Sequence, residues 1–176
     1  MAEKVRVLIV DDSSFFRGRI RRELEQSGEI AIVGEAGNGR EAVDAAVALR
    51  PDLITMDVAM PVMDGIAAVR EIMVQRPTDI IMFSALTRDG ASATLEALEA
   101  GAVDFMPKLR GDRAASAGVG ENLRHRVISI ARSRSGRYAA KPRSPDRVAA
   151  ARRGVESQES FWHRIDEEEP YDSMGI

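Results

Sequence analysis

The chain has 176 residues, of which 44% are hydrophobic and 30% are charged, with a net charge of -3 and no cysteine. This length suits one ordinary domain with an extension, and the lack of cysteine excludes disulfides and thiolate metal sites. No apolar run is long enough to span a membrane, and none follows the charged amino terminus as it does in a secretory signal. We therefore expect a soluble, cytoplasmic protein.

Charge is distributed unevenly along the chain. Residues 1–108 carry 12 basic and 18 acidic side chains, residues 109–155 carry 12 and 3, and residues 156–176 carry 1 and 7. The segment 135–155 is rich in Arg, Ala, Pro and Ser and has little periodic apolar content, which is typical of a flexible linker. We therefore predict one folded domain over 1–134, a basic linker over 135–155 and an acidic, aromatic-containing tail over 156–176.

Five short apolar runs, rich in β-branched residues, have the length and composition of buried parallel strands. Several of these runs end at a polar residue rather than at a glycine or proline typical of a turn. The predicted strands cover residues 5–10, 30–36, 53–57, 80–84 and 103–106.

Apolar residues at helical spacing follow each of these runs, which predicts a helix after every strand. Ser13 or Ser14 can cap the first helix, and Pro51 stops the second. Alternating strands and helices predict an α/β fold, a five-stranded parallel (βα)5 sheet with helices on both faces and a carboxyl-terminal extension. The residues expected to face the core are Phe16, Ile20 and Leu24, then Ala42, Val43, Ala46 and Leu49, then Ile66, Val69, Ile72 and Met73, and finally Leu123, Val127 and Ile130.

Polar side chains follow the strands at the carboxyl ends, where ligands bind in sheets of this kind. Asp11 and Asp12 follow the first strand, Asp57 ends the third, Ser84 ends the fourth and Lys108 follows the fifth. Three neighbouring carboxylates repel one another unless a cation lies between them, and a ligand set made only of oxygen favours Mg²⁺. The pattern predicts phosphate chemistry, with Asp57 as the nucleophile and Ser84 and Lys108 as donors to phosphoryl oxygens.

Each of these residues also has an ordinary structural explanation when it is taken alone. An aspartate after a strand is often a turn former or a helix cap, and a single serine or lysine is often a surface group. The combination of five matching groups at the ends of successive strands favours a functional site. The two histidines, His125 and His163, are interpreted as surface residues and are not assigned to catalysis.

Four segments of the sequence resemble the signature segments of the receiver domains of two-component response regulators, in their order and at their spacing. The resemblance extends over about residues 4–134 and implies a flavodoxin-like fold. The segments are IVDDSS (9–14), MDVAMPVMDG (56–65), FSALT (83–87) and GAVDFMPK (101–108).

The resemblance assigns a role to each residue of the predicted site. It implies that Asp57 accepts the phosphoryl group. It further implies a Mg²⁺ site in which Asp12, Asp57 and the Ala59 backbone carbonyl are direct ligands and Asp11 is a ligand through water.

The same resemblance implies a conformational switch on phosphorylation. Ser84 would be the switch hydroxyl, Phe105 the switch aromatic and Lys108 the lysine that binds the phosphoryl group. Receivers usually have proline after this lysine, often with a cis peptide bond, whereas this chain has Leu109. A cis bond before leucine costs about 3 kcal/mol, so either the Lys108-Leu109 peptide is trans in a reshaped loop or the surrounding fold holds it under strain.

Residues 84–105 are similar to the receiver of chemotaxis protein-glutamate methylesterases, the CheB family. Those proteins continue into a catalytic domain with a Ser, His and Asp triad, and residues after 134 have neither its length nor a nucleophile turn. We therefore expect no enzyme activity beyond self-phosphorylation and slow dephosphorylation. The expected partners are a chemotaxis-type histidine kinase and an output protein, bound through the 84–105 face or the 156–176 tail.

Three function classes follow from the sequence. The chain could be a stand-alone phosphorylation-controlled module, the regulatory part of a truncated methylesterase, or a pseudo-receiver that binds partners without phosphate.

The tail, with Phe161, Trp162 and Ile165 beside an acidic run, could dock on a partner, fold back on the linker or stay solvated. No helix-turn-helix-like unit accompanies the basic linker, so we expect no direct nucleic-acid binding.

Overall fold

The fold is built from five strands that alternate with five helices along the chain. The structure is a computed structural model that describes residues 3–84, 88–108 and 113–133, with the side chains of 88–91 and 113–119 outside that description. The elements are β1 (Val5–Val10), α1 (Ser14–Glu25), β2 (Ile30–Ala36), α2 (Gly39–Leu49), β3 (Leu53–Asp57), α3 (Gly65–Gln75), β4 (Asp79–Ser84), α4 (Arg88–Ala100), β5 (Asp104–Pro107) and α5 (Arg113–Arg132).

All strand pairs are parallel, and the strands lie in the order β2-β1-β3-β4-β5. The chain reverses its direction of winding at the boundary between β1 and β3, and this switch point is where such sheets bind ligands. The predicted five-stranded parallel sheet is confirmed, with strand ends within one residue of the expected positions.

Side chains alternate between the two faces of the sheet because the strand repeat is two residues. On one face Leu8, Ile54 and Met82 pack with α2, α3 and α4. On the other face Val7, Ile81 and Phe83 pack with α1 and α5. The central strands β3 and β4 are buried along their whole length, so both faces of the sheet are covered as predicted.

Side-chain caps fix where three helices begin. Ser13, Asn38 and Asp64 each accept a hydrogen bond from a backbone N–H in the first turn of α1, α2 and α3. Such caps satisfy donors that have no partner inside the helix. Ser13 and Asp64 immediately precede α1 and α3, so these caps fix the first residues of the two helices that follow β1 and β3.

No helix in the described part of the chain has both the length and the apolar character to cross a bilayer. The predicted linker over 135–155 and the predicted tail over 156–176 lie outside the described residues. His163, Leu109 and therefore the Lys108-Leu109 peptide also lie outside them.

Candidate functional site

Two neighbouring aspartates follow β1 and have different surroundings. Asp11 is only 1% exposed, and one of its carboxylate oxygens accepts a hydrogen bond from the Ser13 backbone N–H at 2.9 Å. Its backbone carbonyl accepts a hydrogen bond from the Arg17 guanidinium at 2.8 Å. Asp12 is exposed. The first carboxylate is therefore fixed in the protein, and the second is accessible to solvent.

Asp57 is the last residue of β3 and lies beside both of these aspartates. It is 4% exposed, and the carboxylates of Asp11, Asp12 and Asp57 each offer a ligand atom within 4.8 Å of the others. The next residue, Val58, donates its backbone N–H to the Phe83 carbonyl at 3.0 Å, which keeps the strand end against β4. The structure thus brings together the three carboxylates that the sequence predicts.

The loop between β3 and α3 is shaped closely around Asp57. Gly65 donates its backbone N–H to the Val58 carbonyl at 2.8 Å, and a Cβ atom at Gly65 would lie 1.9 Å from the Asp57 carbonyl oxygen. Within the same loop Val62 has a φ of 68°, a left-handed conformation that β-branched residues rarely adopt. Only glycine fits at position 65, so α3 begins in direct contact with the Asp57 backbone.

Lys108 reaches the carboxylates from the end of β5. Its backbone N–H donates to the Ser84 carbonyl at 2.7 Å, which aligns the ends of β4 and β5. Its Nζ lies 2.8 Å from Asp57 Oδ2 and 2.9 Å from Asp11 Oδ2. The side chain is 14% exposed, so the ammonium bridges two buried carboxylates in surroundings that contain little water.

Burial and the neighbouring charges change the acidity of this cluster. Burial raises the pKa of Asp57 to about 6, and the negative charges of Asp11 and Asp12 act in the same direction, while Lys108 partly opposes them. Burial lowers the pKa of Lys108, but its hydrogen bonds to Asp57 and Asp11 outweigh that effect and leave the pKa above its ordinary value. The site therefore has excess negative charge that one ammonium does not balance, which a bound cation would relieve.

The two predicted switch residues lie on neighbouring strands. Ser84 is the last residue of β4, so it lies at the same edge of the sheet as Asp57, the last residue of β3. Ser84 is 6% exposed. Phe105 lies inside β5, opposite Met82, and packs against the core on the face of α2, α3 and α4. Ala59 is exposed in the loop after β3.

His125 fits the surface interpretation. Its side chain is 79% exposed on α5, and its ring lies 3.9 Å from Glu121, one helical turn away.

Two residues of the site region were not recognised from the sequence. Phe16 was expected only in the core face of α1, but the Lys108 Nζ lies over its ring, 4.6 Å from the centroid. Thr55, two residues before Asp57, is fully buried, and its hydroxyl has no hydrogen-bond partner among the described residues. A polar residue in an otherwise apolar strand was the available signal for Thr55, whereas Phe16 carried none.

Comparison with known proteins agrees with this geometry. Residues 7–115 match the family model described as the response regulator receiver domain. A curated protein-glutamate methylesterase/protein-glutamine glutaminase of Alkalilimnicola ehrlichii is 52% identical over 156 residues, which are 88% of this chain and 39% of that protein. The corresponding protein of Pseudoalteromonas translucida is 64% identical over 104 residues, 59% of this chain and 27% of that protein.

Solved structures give the same result. The response regulator domain of Thermotoga maritima CheB is 38% identical with a TM-score of 0.68, covering 80% of this chain and 100% of that one. A CheX-CheY-BeF3-Mg²⁺ complex from Borrelia burgdorferi is 30% identical with a TM-score of 0.55, covering 69% of this chain and 90% of that one.

The fold and the matched residues define the class: the chain belongs to the response regulator receiver family. Within that family it corresponds to the receiver part of CheB-type chemotaxis methylesterases, and it spans 39% and 27% of the length of the two curated relatives described above. The resemblance read from the sequence is confirmed at both levels.

Proposed function

We propose that this receiver accepts a phosphoryl group on Asp57 from a chemotaxis-type histidine kinase and signals through the resulting conformational change. The observation that carries the proposal is the buried Asp57 carboxylate, which lies with Asp11 and Asp12 within 4.8 Å and accepts a hydrogen bond from Lys108. A charged nucleophile, a compensating cation site and a fixed ammonium are what phosphoryl transfer to a carboxylate requires.

Asp57 is the nucleophile in this proposal. One of its carboxylate oxygens forms a bond to phosphorus as the bond between phosphorus and the donor breaks, and the donor leaves with the bonding electron pair and takes up a proton. Asp57 must be ionised to attack, and a pKa of about 6 leaves most of it charged at neutral pH even without a cation. Lys108 then offers its N–H donors to a phosphoryl oxygen in place of the carboxylate.

The three carboxylates suit Mg²⁺ because they provide only oxygen ligands and concentrate negative charge. Asp12, Asp57 and the Ala59 carbonyl would be direct ligands, and Asp11 would bind through water. The ion, when bound, neutralises charge on the carboxylates and on the phosphoryl oxygens. Asp11 is held by Ser13 and Lys108, which fits a less direct role than that of the exposed Asp12.

Ser84 and Phe105 would transmit the conformational change from the phosphorylated site to the protein surface. Phosphorylation replaces the single negative charge of Asp57 by an acyl phosphate of about -2, whose oxygens attract the Ser84 hydroxyl and change the packing next to Phe105. An output partner would recognise the 84–105 face in this altered state, or the 156–176 tail.

Incubation with acetyl phosphate and Mg²⁺, followed by intact-mass measurement, tests the proposal. We expect wild type to gain one phosphoryl group, Asp57→Asn to gain none, and chelation of the metal to stop the reaction. Asp64→Asn is a matched control, because Asp64 lies in the same loop but caps α3 through a hydrogen bond that asparagine can also accept. A folded wild type that stays at its original mass would refute phosphorylation and leave the pseudo-receiver function.

A second candidate function is the regulatory domain of a longer methylesterase. The observation that favours it is the alignment to the Alkalilimnicola ehrlichii protein, whose 156 matched residues necessarily extend beyond residue 134. Sequencing the gene past the codon for Ile176 separates the two, because a continuing reading frame selects the methylesterase and a stop codon selects the stand-alone module.

A further inference from the structure

The ammonium of Lys108 has three neighbours. It lies 2.8 Å from Asp57 Oδ2, 2.9 Å from Asp11 Oδ2 and 4.6 Å from the centroid of the Phe16 ring, over whose face it is placed. An ammonium has three N–H donors, and the two carboxylate oxygens account for two of them. The aromatic face meets the remaining side, at a distance at which cation–π attraction operates.

The position of Phe16 is set by the helix that carries it. The residue lies in the first turn of α1, and its backbone N–H donates to the capping Ser13 hydroxyl at 3.4 Å. Ser13 also donates its own N–H to Asp11, so the same short segment fixes both the ring and one of the carboxylates that bind Lys108. Phe16 is only partly exposed, and the ammonium above it is 14% exposed, so solvent screens this contact weakly.

We propose that Phe16 is a positioning residue that holds the Lys108 ammonium beside Asp57 during phosphoryl transfer. This inference rests on the proposed phosphorylation of Asp57. The ring stabilises the positive charge without providing an anion, so it does not compete with an incoming phosphoryl group for the N–H donors. Lys108 exchanges the Asp57 carboxylate for a phosphoryl oxygen while the ring keeps it in place.

An aliphatic side chain would fill the same space without the electrostatic attraction. Replacement of Phe16 by leucine therefore lets the ammonium sample positions away from the site and slows phosphorylation by about fivefold, as expected for a cation–π contact that is partly shielded from water. Phe16→Tyr restores an aromatic face and is expected to restore most of the rate.

A double-mutant cycle measures this coupling. Phosphorylation rates with acetyl phosphate and Mg²⁺ are compared for wild type, Phe16→Leu, Lys108→Met and the double variant, with circular dichroism to establish that each is folded. We expect Phe16→Leu to slow the reaction about fivefold when Lys108 is present and by less than about twofold when methionine replaces it. Equal slowing in both backgrounds, or no slowing with Lys108 present, overturns the proposal.

Phe15 provides a matched control on the same helical turn. The residue is 70% exposed, and its ring meets the Phe16 ring edge to face with the centroids 5.9 Å apart. Phe15→Leu removes an aromatic ring of the same size from the neighbouring position, and we expect a smaller effect than that of Phe16→Leu. A larger effect of Phe15→Leu contradicts the assignment to Phe16.

A spectroscopic measurement separates this inference from the proposed function. We expect the Phe16 ring current to shift the proton resonances of the Lys108 ε-methylene group upfield, because the adjacent Nζ lies over the ring. Lys108→Met identifies these resonances by their disappearance. We expect these resonances to move downfield in Phe16→Leu and to stay near their wild-type position in Phe16→Tyr. Unchanged resonances in Phe16→Leu refute the contact whether or not Asp57 accepts phosphate. Failure of wild type to be phosphorylated refutes the function, and with it the role of Phe16 in phosphoryl transfer, but leaves the contact itself standing.

Discussion

Replacement of Asp57 by asparagine is expected to stabilise the fold in the absence of a divalent cation. The substitution preserves the shape of the side chain and removes a buried negative charge that lies beside Asp11 and Asp12. The pKa of Asp57 is raised from 3.8 to about 6, with burial as the main cause. A difference of that size corresponds to about 3 kcal/mol of destabilisation when the group is ionised, at about 1.4 kcal/mol for each pKa unit.

The expected gain in the free energy of unfolding is up to about 3 kcal/mol at neutral pH, because the net pKa shift already includes the opposing attraction of Lys108. The sign of the pH dependence follows from the raised pKa. Between pH 3.8 and about 6 the folded protein retains a proton that the unfolded chain has lost, so wild-type stability falls as pH rises through this window and then levels off. The advantage of the variant should therefore grow across the same window.

Urea denaturation followed by circular dichroism, in EDTA and at several pH values across that window, provides the measurement. Asp64→Asn controls for loss of a carboxylate in the same loop. Adding Mg²⁺ should then raise the stability of wild type more than that of Asp57→Asn, because the ion binds the folded carboxylate cluster. If Asp57→Asn is less stable than wild type at neutral pH without metal, the ionised Asp57 carboxylate does not destabilise the fold and the prediction is wrong.

Two further substitutions test the packing around the site. Gly65→Ala should lower the free energy of unfolding by more than about 2 kcal/mol and slow phosphorylation. The new Cβ would lie 1.9 Å from the Asp57 carbonyl oxygen, so the backbone must move. A urea midpoint near that of wild type would show that the loop adapts without cost and would contradict this prediction. Thr55→Val should raise the free energy of unfolding by about 1 kcal/mol, because it replaces a fully buried hydroxyl that has no partner among the described residues with a methyl group of similar size. An unchanged or lower midpoint for Thr55→Val would mean that the hydroxyl finds a partner in solution.

Local patterns were sufficient to predict the order of the elements. A strand that packs helices on both faces is largely apolar, and the apolar runs predict β1 and β3 at the bounds they have in the structure, Val5–Val10 and Leu53–Asp57. The first strand residues of β4 and β5 differ by one position from the prediction, because their ends depend on pairing with a neighbouring strand. β5 extends to Pro107 because it pairs with Ser84 there.

The same patterns located the carboxylates and the lysine of the candidate site, because the carboxyl ends of parallel strands share one edge of the sheet. They did not distinguish buried Asp11 from exposed Asp12, since adjacent residues with identical side chains carry the same sequence signal. That difference depends on the Ser13 and Lys108 contacts of Asp11.

Local periodicity and short motifs are enough to predict the class of fold, the family and the residues that bring charge to the site. The arrangement of those charges depends on tertiary packing. Lys108 bridges Asp57 and Asp11, and the Phe16 ring lies under its ammonium, through contacts between residues far apart in the chain. No local pattern specifies such contacts, because they form only when β1, β3, β5 and α1 are packed together.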